Sequence, residues 1–129
     1  VAKKTERQKL VKKLDEIVAK IVKVRDKHLC QYCHKLVEGS NAHCSHVIPR
    51  SRGMIYRWDL NNLKLLCYHH HINWWHKDPV EAGKWFREAF PERMAYLDAL
   101  RDNPLKKYTV ADLKELLAKF RNNLNSWKE

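Results

Sequence analysis

The chain has 129 residues, 44% hydrophobic and 10% aromatic, values that suit one folded domain and exclude wholesale disorder. Its 26 Lys and Arg against 15 Asp and Glu leave a formal charge of +11, which favours a polyanionic partner, nucleic acid ahead of an anionic membrane surface. No apolar run reaches the ~18 residues a spanning helix needs, and the lysine-rich start lacks the apolar stretch of a secretory signal, so no membrane association and an intracellular address are expected.

In chain order the first region, 1–28, places Leu10, Leu14, Ile17, Ile21 and Val24 at alternating steps of four and three, widened by Val11, Val18 and Val22. That spacing predicts a helix with a broad apolar face and a back of lysines, including Lys3, Lys4, Lys9, Lys12, Lys13, Lys20 and Lys23. The last region, 78–129, predicts further helices. Asp78-Pro79-Val80-Glu81 reads as a cap, Pro at the first helical position and an acid in the first turn, opening a helix through Trp85 and Phe86. Pro91 breaks it and starts another through Met94 and Leu97, closing before Asn103-Pro104. Thr109 with Asp112 then caps a final helix striped by Leu113, Leu117, Phe120 and Leu124, which is expected to pack against the first.

The middle region, 29–77, lacks helical periodicity but holds all four cysteines and seven of the eight histidines, His28 being the exception. Val47-Ile48 and Leu63-Lys64-Leu65-Leu66 read as short strands. Cys30-x-x-Cys33 and Cys67-x-x-His70 are two knuckles whose two-residue gaps turn thiolate and imidazole toward one ion, a Cys3His set suited to a structural Zn²⁺. A thioredoxin-like redox pair is the rival for Cys30 and Cys33, but it needs a βαβ setting that the pattern does not offer. Cys44 either replaces His70 as the fourth ligand or is a small buried residue. Trp74 and Trp75 read as core before they read as base-stacking platforms.

Between the knuckles runs Ser45-His46-Val47-Ile48-Pro49-Arg50-Ser51-Arg52-Gly53, then Asn61-Asn62-Leu63-Lys64-Leu65-Leu66-Cys67-Tyr68-His69-His70-His71. This order resembles the HNH (ββα-metal) endonuclease signature, with His ending a first strand, Asn at the second and His on the following helix. The stretch continuing to His76-Lys77-Asp78-Pro79 is similar to phage-type HNH recombination endonucleases. The resemblance covers about residues 30–80 and implies an α+β fold: a mostly helical domain around a zinc-stapled ββα-metal core, flanked by the terminal helices.

It also implies a metal-dependent DNA endonuclease that hydrolyses phosphodiesters to 5′ phosphate and 3′ hydroxyl ends. His46 would be the general base, Asn62 the brace of the loop that aims it, and His71 a ligand of a catalytic divalent ion (Mn²⁺, Ni²⁺, Co²⁺ or Mg²⁺). Ser45 stands where many members carry a second ligand. His43, on the same strand face, is the expected substitute; His76, five residues past His71 and off its face on an α-helix, is the weaker one. Arg50, Arg52 and Arg57 are expected to hold DNA phosphates. Ser45 also keeps open a catalytically weak or inactive zinc-stabilised DNA-binding module, and charge alone leaves an RNA-binding zinc domain as a further alternative.

Overall fold

A computed structural model describes residues 3–102 and 107–128. Helix α1 (Glu6–Arg25) opens on a reciprocal capping box: the Thr5 hydroxyl accepts from Gln8 N–H (3.1 Å) and Gln8 Oε1 accepts from Thr5 N–H (2.9 Å). It stops short of the expected boundary at 28 because Lys27 and His28 turn left-handed, with φ of 58° and 59°. His28 N–H then closes onto the Lys23 carbonyl (2.9 Å). The buried stripe of α1 (Leu10, Leu14, Ile17, Val18, Ile21 and Val22) packs on Leu113 and Leu117 of α5 (Val110–Lys128), which is the pairing of terminal helices that the sequence predicts. The expected cap of α5 is present, Thr109 Oγ1 accepting from Asp112 N–H (3.1 Å) and Asp112 Oδ2 from Thr109 N–H (2.9 Å).

Between these helices lie two short antiparallel strands, β1 (His43–His46) and β2 (Leu63–Leu66), in the register His43↔Leu66 to His46↔Leu63. Every residue of β2 is buried. The expected strand at Val47-Ile48 is not formed, since β1 ends at His46. The reason is local: the buried Asn62 side chain, not a strand partner, takes both the N–H and the carbonyl of Ile48.

After β1 the chain makes a turn at Arg50–Arg52 and one helical turn, α2 (Met54–Arg57). After β2 it enters a π-helical turn, His69–Trp75, then α3 (Pro79–Ala89) and α4 (Pro91–Leu100), each with Pro at its start as expected. Asp78 makes no capping bond, because its backbone (φ −132°, ψ 64°) is not in the extended conformation that aims a cap side chain. The predicted stop before Asn103-Pro104 lies outside the described residues. A second, smaller core of Ile48, Tyr56, Phe86, Met94 and Leu97 sits under α3 and α4, and Trp75 packs against both cores. The fold is thus α+β, mostly helical around a two-stranded sheet. Among the described residues no helix is long and apolar enough to cross a membrane.

Candidate active site and metal centre

The two knuckles converge. One ligand atom from each of Cys30, Cys33, Cys67 and His70 lies within 4.8 Å of the others, with Cys67 Sγ 3.1 Å and Cys30 Sγ 3.9 Å from His70 Nδ1. Three thiols and one imidazole are a donor set for tetrahedral zinc, so the residues present fit that ion. The first knuckle turns through His34, left-handed at φ 61°, whose N–H bonds the Cys30 carbonyl at 2.8 Å. Cys44 is not part of the cluster. It is partly buried on β1, and burial pushes its thiol up to about 11, which keeps it a neutral thiol. Around the cluster, Tyr32 stacks on both His70 and Trp74 (centroids 4.6 and 4.2 Å apart), so Trp74 belongs to the packing of the knuckles.

Beside this centre a cleft of about 560 Å³ is lined by residues that include His46, Arg50, His71 and His76. His46, the last residue of β1, donates through Nε2 to the Arg57 carbonyl at 3.0 Å, because a carbonyl can only accept. Its neutral ring therefore keeps the lone pair on Nδ1. Burial, helped by the charges of Arg50 and Lys64, lowers the pKa of this ring below 6.5, the Arg57 carbonyl opposing the shift.

A second chain of hydrogen bonds assigns the other rings. The Ser40 carbonyl faces His43 Nε2 at 2.9 Å, so that nitrogen carries the proton and His43 Nδ1 accepts. Its partner at 2.8 Å is His71 Nδ1, which must donate, leaving His71 Nε2 bare and 3.0 Å from His76 Nε2. Burial first, and then the neighbouring His76 and His43, push His71 down to about 4, so it is neutral at ordinary pH. His76 reaches His71 because the turn between them is π-helical: His76 N–H bonds the His71 carbonyl at 3.2 Å, and an i→i+5 turn stacks residues five apart. On an α-helix it would have pointed elsewhere. His43 stands behind His71 and outside the lining of the cleft.

Asn62 is fully buried. Its Oδ1 accepts from Ile48 N–H (2.7 Å) and its Nδ2 donates to the carbonyls of Ile48 and Tyr56 (both 2.9 Å), tying the loop after His46 to the start of β2. Ser45 is also buried and faces away from the cleft. Its hydroxyl is 2.9 Å from Lys64 Nζ, which lies 3.2 Å from the centroid of the Trp75 ring. Burial drives the Lys64 pKa well below 10.5.

Of the three loop arginines, Arg50 and Arg52 are exposed, and Arg50 lines the cleft. Arg57 differs from them in being engaged already: Asp15 of α1 holds its guanidinium in a fork (Nε–Oδ1 2.9 Å, Nη2–Oδ2 2.7 Å). Neither Asp15 nor the π-turn announced itself in the sequence; the one sign of Asp15 is an acid among lysines at the edge of the apolar stripe.

A two-stranded sheet, a four-donor knuckle pair and a histidine cleft meet in the middle of the chain. Residues 30–74, about a third of the chain, match the HNH endonuclease family model, and this part of the chain is an HNH segment of the nuclease or nucleic-acid-binding class. No curated protein and no solved structure matches the chain.

Proposed function

We propose that the chain works as a single domain, inside the cell, as a metal-dependent endonuclease that hydrolyses DNA phosphodiesters with His46 as general base. The observation that carries this reading is the meeting of His46, His71 and His76 in one cleft, with carbonyl acceptors leaving His46 Nδ1 and His71 Nε2 as the lone-pair nitrogens.

In this mechanism His46 Nδ1 takes a proton from a water molecule that attacks phosphorus in line. The Arg57 carbonyl holds the ring in the required tautomer, and Asn62 fixes the loop that begins after it. Arg50 and Arg52 bind the phosphates of the strand to be cut. The imidazole pair His71 and His76 fits a divalent ion, Mn²⁺, Ni²⁺ or Co²⁺ ahead of Mg²⁺, and His43 keeps His71 Nδ1–H engaged. When bound, that ion supplies positive charge against the phosphoryl oxygens and the leaving 3′ oxygen.

One observation favours a second reading, a zinc-stapled DNA-binding module without turnover: Ser45 is turned to Lys64, and no carboxylate lines the cleft among the described residues. Cleavage of duplex DNA with Mn²⁺ separates the two. Wild type should cut, and His46→Ala should lose about 10²–10⁴-fold in rate while DNA affinity stays within a few-fold. A wild-type protein that binds DNA but never cuts it selects the second reading.

A further inference from the structure

We infer that Asp15, on the helix that precedes the HNH segment, is a positioning residue for the His46 base, acting through the peptide that joins Arg57 to Trp58. Both side chains flanking that peptide end on the same carboxylate. Asp15 Oδ1 accepts from Arg57 Nε (2.9 Å) and from Trp58 Nε1 (2.8 Å), while Oδ2 accepts from Arg57 Nη2 (2.7 Å). The carbonyl of the same peptide is the acceptor that His46 Nε2 meets at 3.0 Å. A peptide held from both sides cannot rotate its carbonyl without breaking charge-assisted hydrogen bonds, which are among the stronger ones.

The anchor itself is fixed. Asp15 follows the fully buried Leu14 on α1, and Trp58 is only 2% exposed within the main core, so helix packing sets where the carboxylate stands. Burial works to raise the Asp15 pKa, but the bonds from Arg57 and Trp58 outweigh it and the carboxyl stays below its usual value. It therefore keeps its charge to lower pH than an ordinary aspartate does. Without the clamp, the Arg57 carbonyl is free to swing, the His46 ring loses its preference for protonated Nε2, and part of the population presents N–H where a lone pair is needed.

This inference rests on His46 being the base, and its test is chosen to stand apart from that reading. Long-range ¹H–¹⁵N spectra of the zinc-loaded protein without DNA should show His46 with a protonated Nε2 and a bare Nδ1. In Asp15→Asn, which loses an acceptor and the charge, the two nitrogens should average toward a tautomer mixture. Single-turnover cleavage should fall about ten- to hundredfold with DNA affinity unchanged. Asp15→Glu, which keeps the carboxylate, should recover part of both.

Should Asp15→Asn fail to fold, Arg57→Lys removes the fork and leaves the backbone carbonyl, and the same tautomer mixing is expected of it. A folded Asp15→Asn or Arg57→Lys with an unmixed His46 tautomer and an unchanged rate would overturn the clamp. If His46→Ala still cleaves, the base assignment fails instead, while the spectra continue to judge the clamp by itself.

Discussion

Asn62 uses its side chain as a substitute strand for Ile48: Oδ1 receives the Ile48 N–H at 2.7 Å and Nδ2 returns a bond to the Ile48 carbonyl at 2.9 Å. A third bond to the Tyr56 carbonyl joins α2 to the same amide, so one buried group holds both ends of the loop that follows His46.

Asn62→Asp is the sharper probe of that arrangement. It is nearly isosteric, but it turns an acceptor oxygen toward two carbonyls in a site with no exposure to water. Asn62→Ala instead leaves one N–H and two carbonyls without partners. At about 1–3 kcal/mol for each buried unsatisfied group, both variants should lose roughly 3 kcal/mol or more of stability, read as a lower urea midpoint with little change in slope. Cleavage should fall further than DNA affinity, because aiming the base tolerates less displacement than the long side chains of Arg50 and Arg52 on the same loop, which can still reach phosphates. A stability change below about 0.5 kcal/mol in Asn62→Asp would mean that the amide network is not holding the loop.

The four-donor cluster makes a different prediction, in which two cysteines of the same region should behave in opposite ways. Cys67 is a buried member of the four-donor cluster, whereas Cys44 is a neutral thiol packed on β1. Purified protein should contain one zinc per chain by elemental analysis. Cys67→Ser should lose it together with ordered structure in the centre, because binding free energy is folding free energy in such sites. Cys44→Ala should keep full zinc content and cost only what the loss of a small apolar contact costs. Zinc loss in Cys44→Ala would place Cys44 among the ligands after all.

How far these assignments were legible beforehand follows the range of the interactions. The knuckles, the helix stripes, the proline starts and the Thr109 cap are local patterns, and each appears where the spacing put it. The strand reading failed at Val47-Ile48 because the partner of Ile48 is a side chain fourteen residues away, which apolar content does not reveal. The place of His76 depends on whether the turn closes i→i+4 or i→i+5, and both are compatible with the run His69-His70-His71-Ile72-Asn73-Trp74-Trp75. Residue type alone does not set Arg57 apart from Arg50 and Arg52. Its partner, Asp15, is 42 residues distant and belongs to a helix outside the HNH segment.

The titration of the cleft follows from burial. The His46 ring is shifted below 6.5, chiefly by desolvation, and it must be unprotonated to act as a base. The acid limb of the single-turnover rate should therefore have its midpoint below pH 6.5, with activity persisting as pH falls through the ordinary histidine range. His71, pushed to about 4, adds a stability effect in protein free of added divalent ions. Between about 6.5 and 4 the unfolded chain binds a proton that the folded one refuses, so stability is present above that window and declines as pH falls through it. Thermal melts at stepped pH should show that decline, and His71→Gln should flatten it. An acid limb centred above 6.5 would count against a desolvated base.

Finally, the three loop arginines should separate in their response to salt. Arg50 and Arg52 are exposed, with Arg50 on the cleft, and have charge available for phosphate, whereas the Arg57 charge is already opposed by Asp15. Each phosphate contact contributes about 0.9 to the slope of log affinity against log salt. Arg50→Ala and Arg52→Ala should each flatten the slope on duplex DNA by about one and weaken all sequences alike, since a phosphate contact carries no base identity. Arg57→Ala should leave the slope where it was and lower the cleavage rate, because what it loses is the grip on the carbonyl behind His46. Fluorescence anisotropy at several salt concentrations, run beside single-turnover cleavage, gives both quantities for each variant. An Arg57→Ala slope that flattens like the other two, with cleavage falling only in step with binding, would return Arg57 to the DNA and leave Asp15 as its competitor.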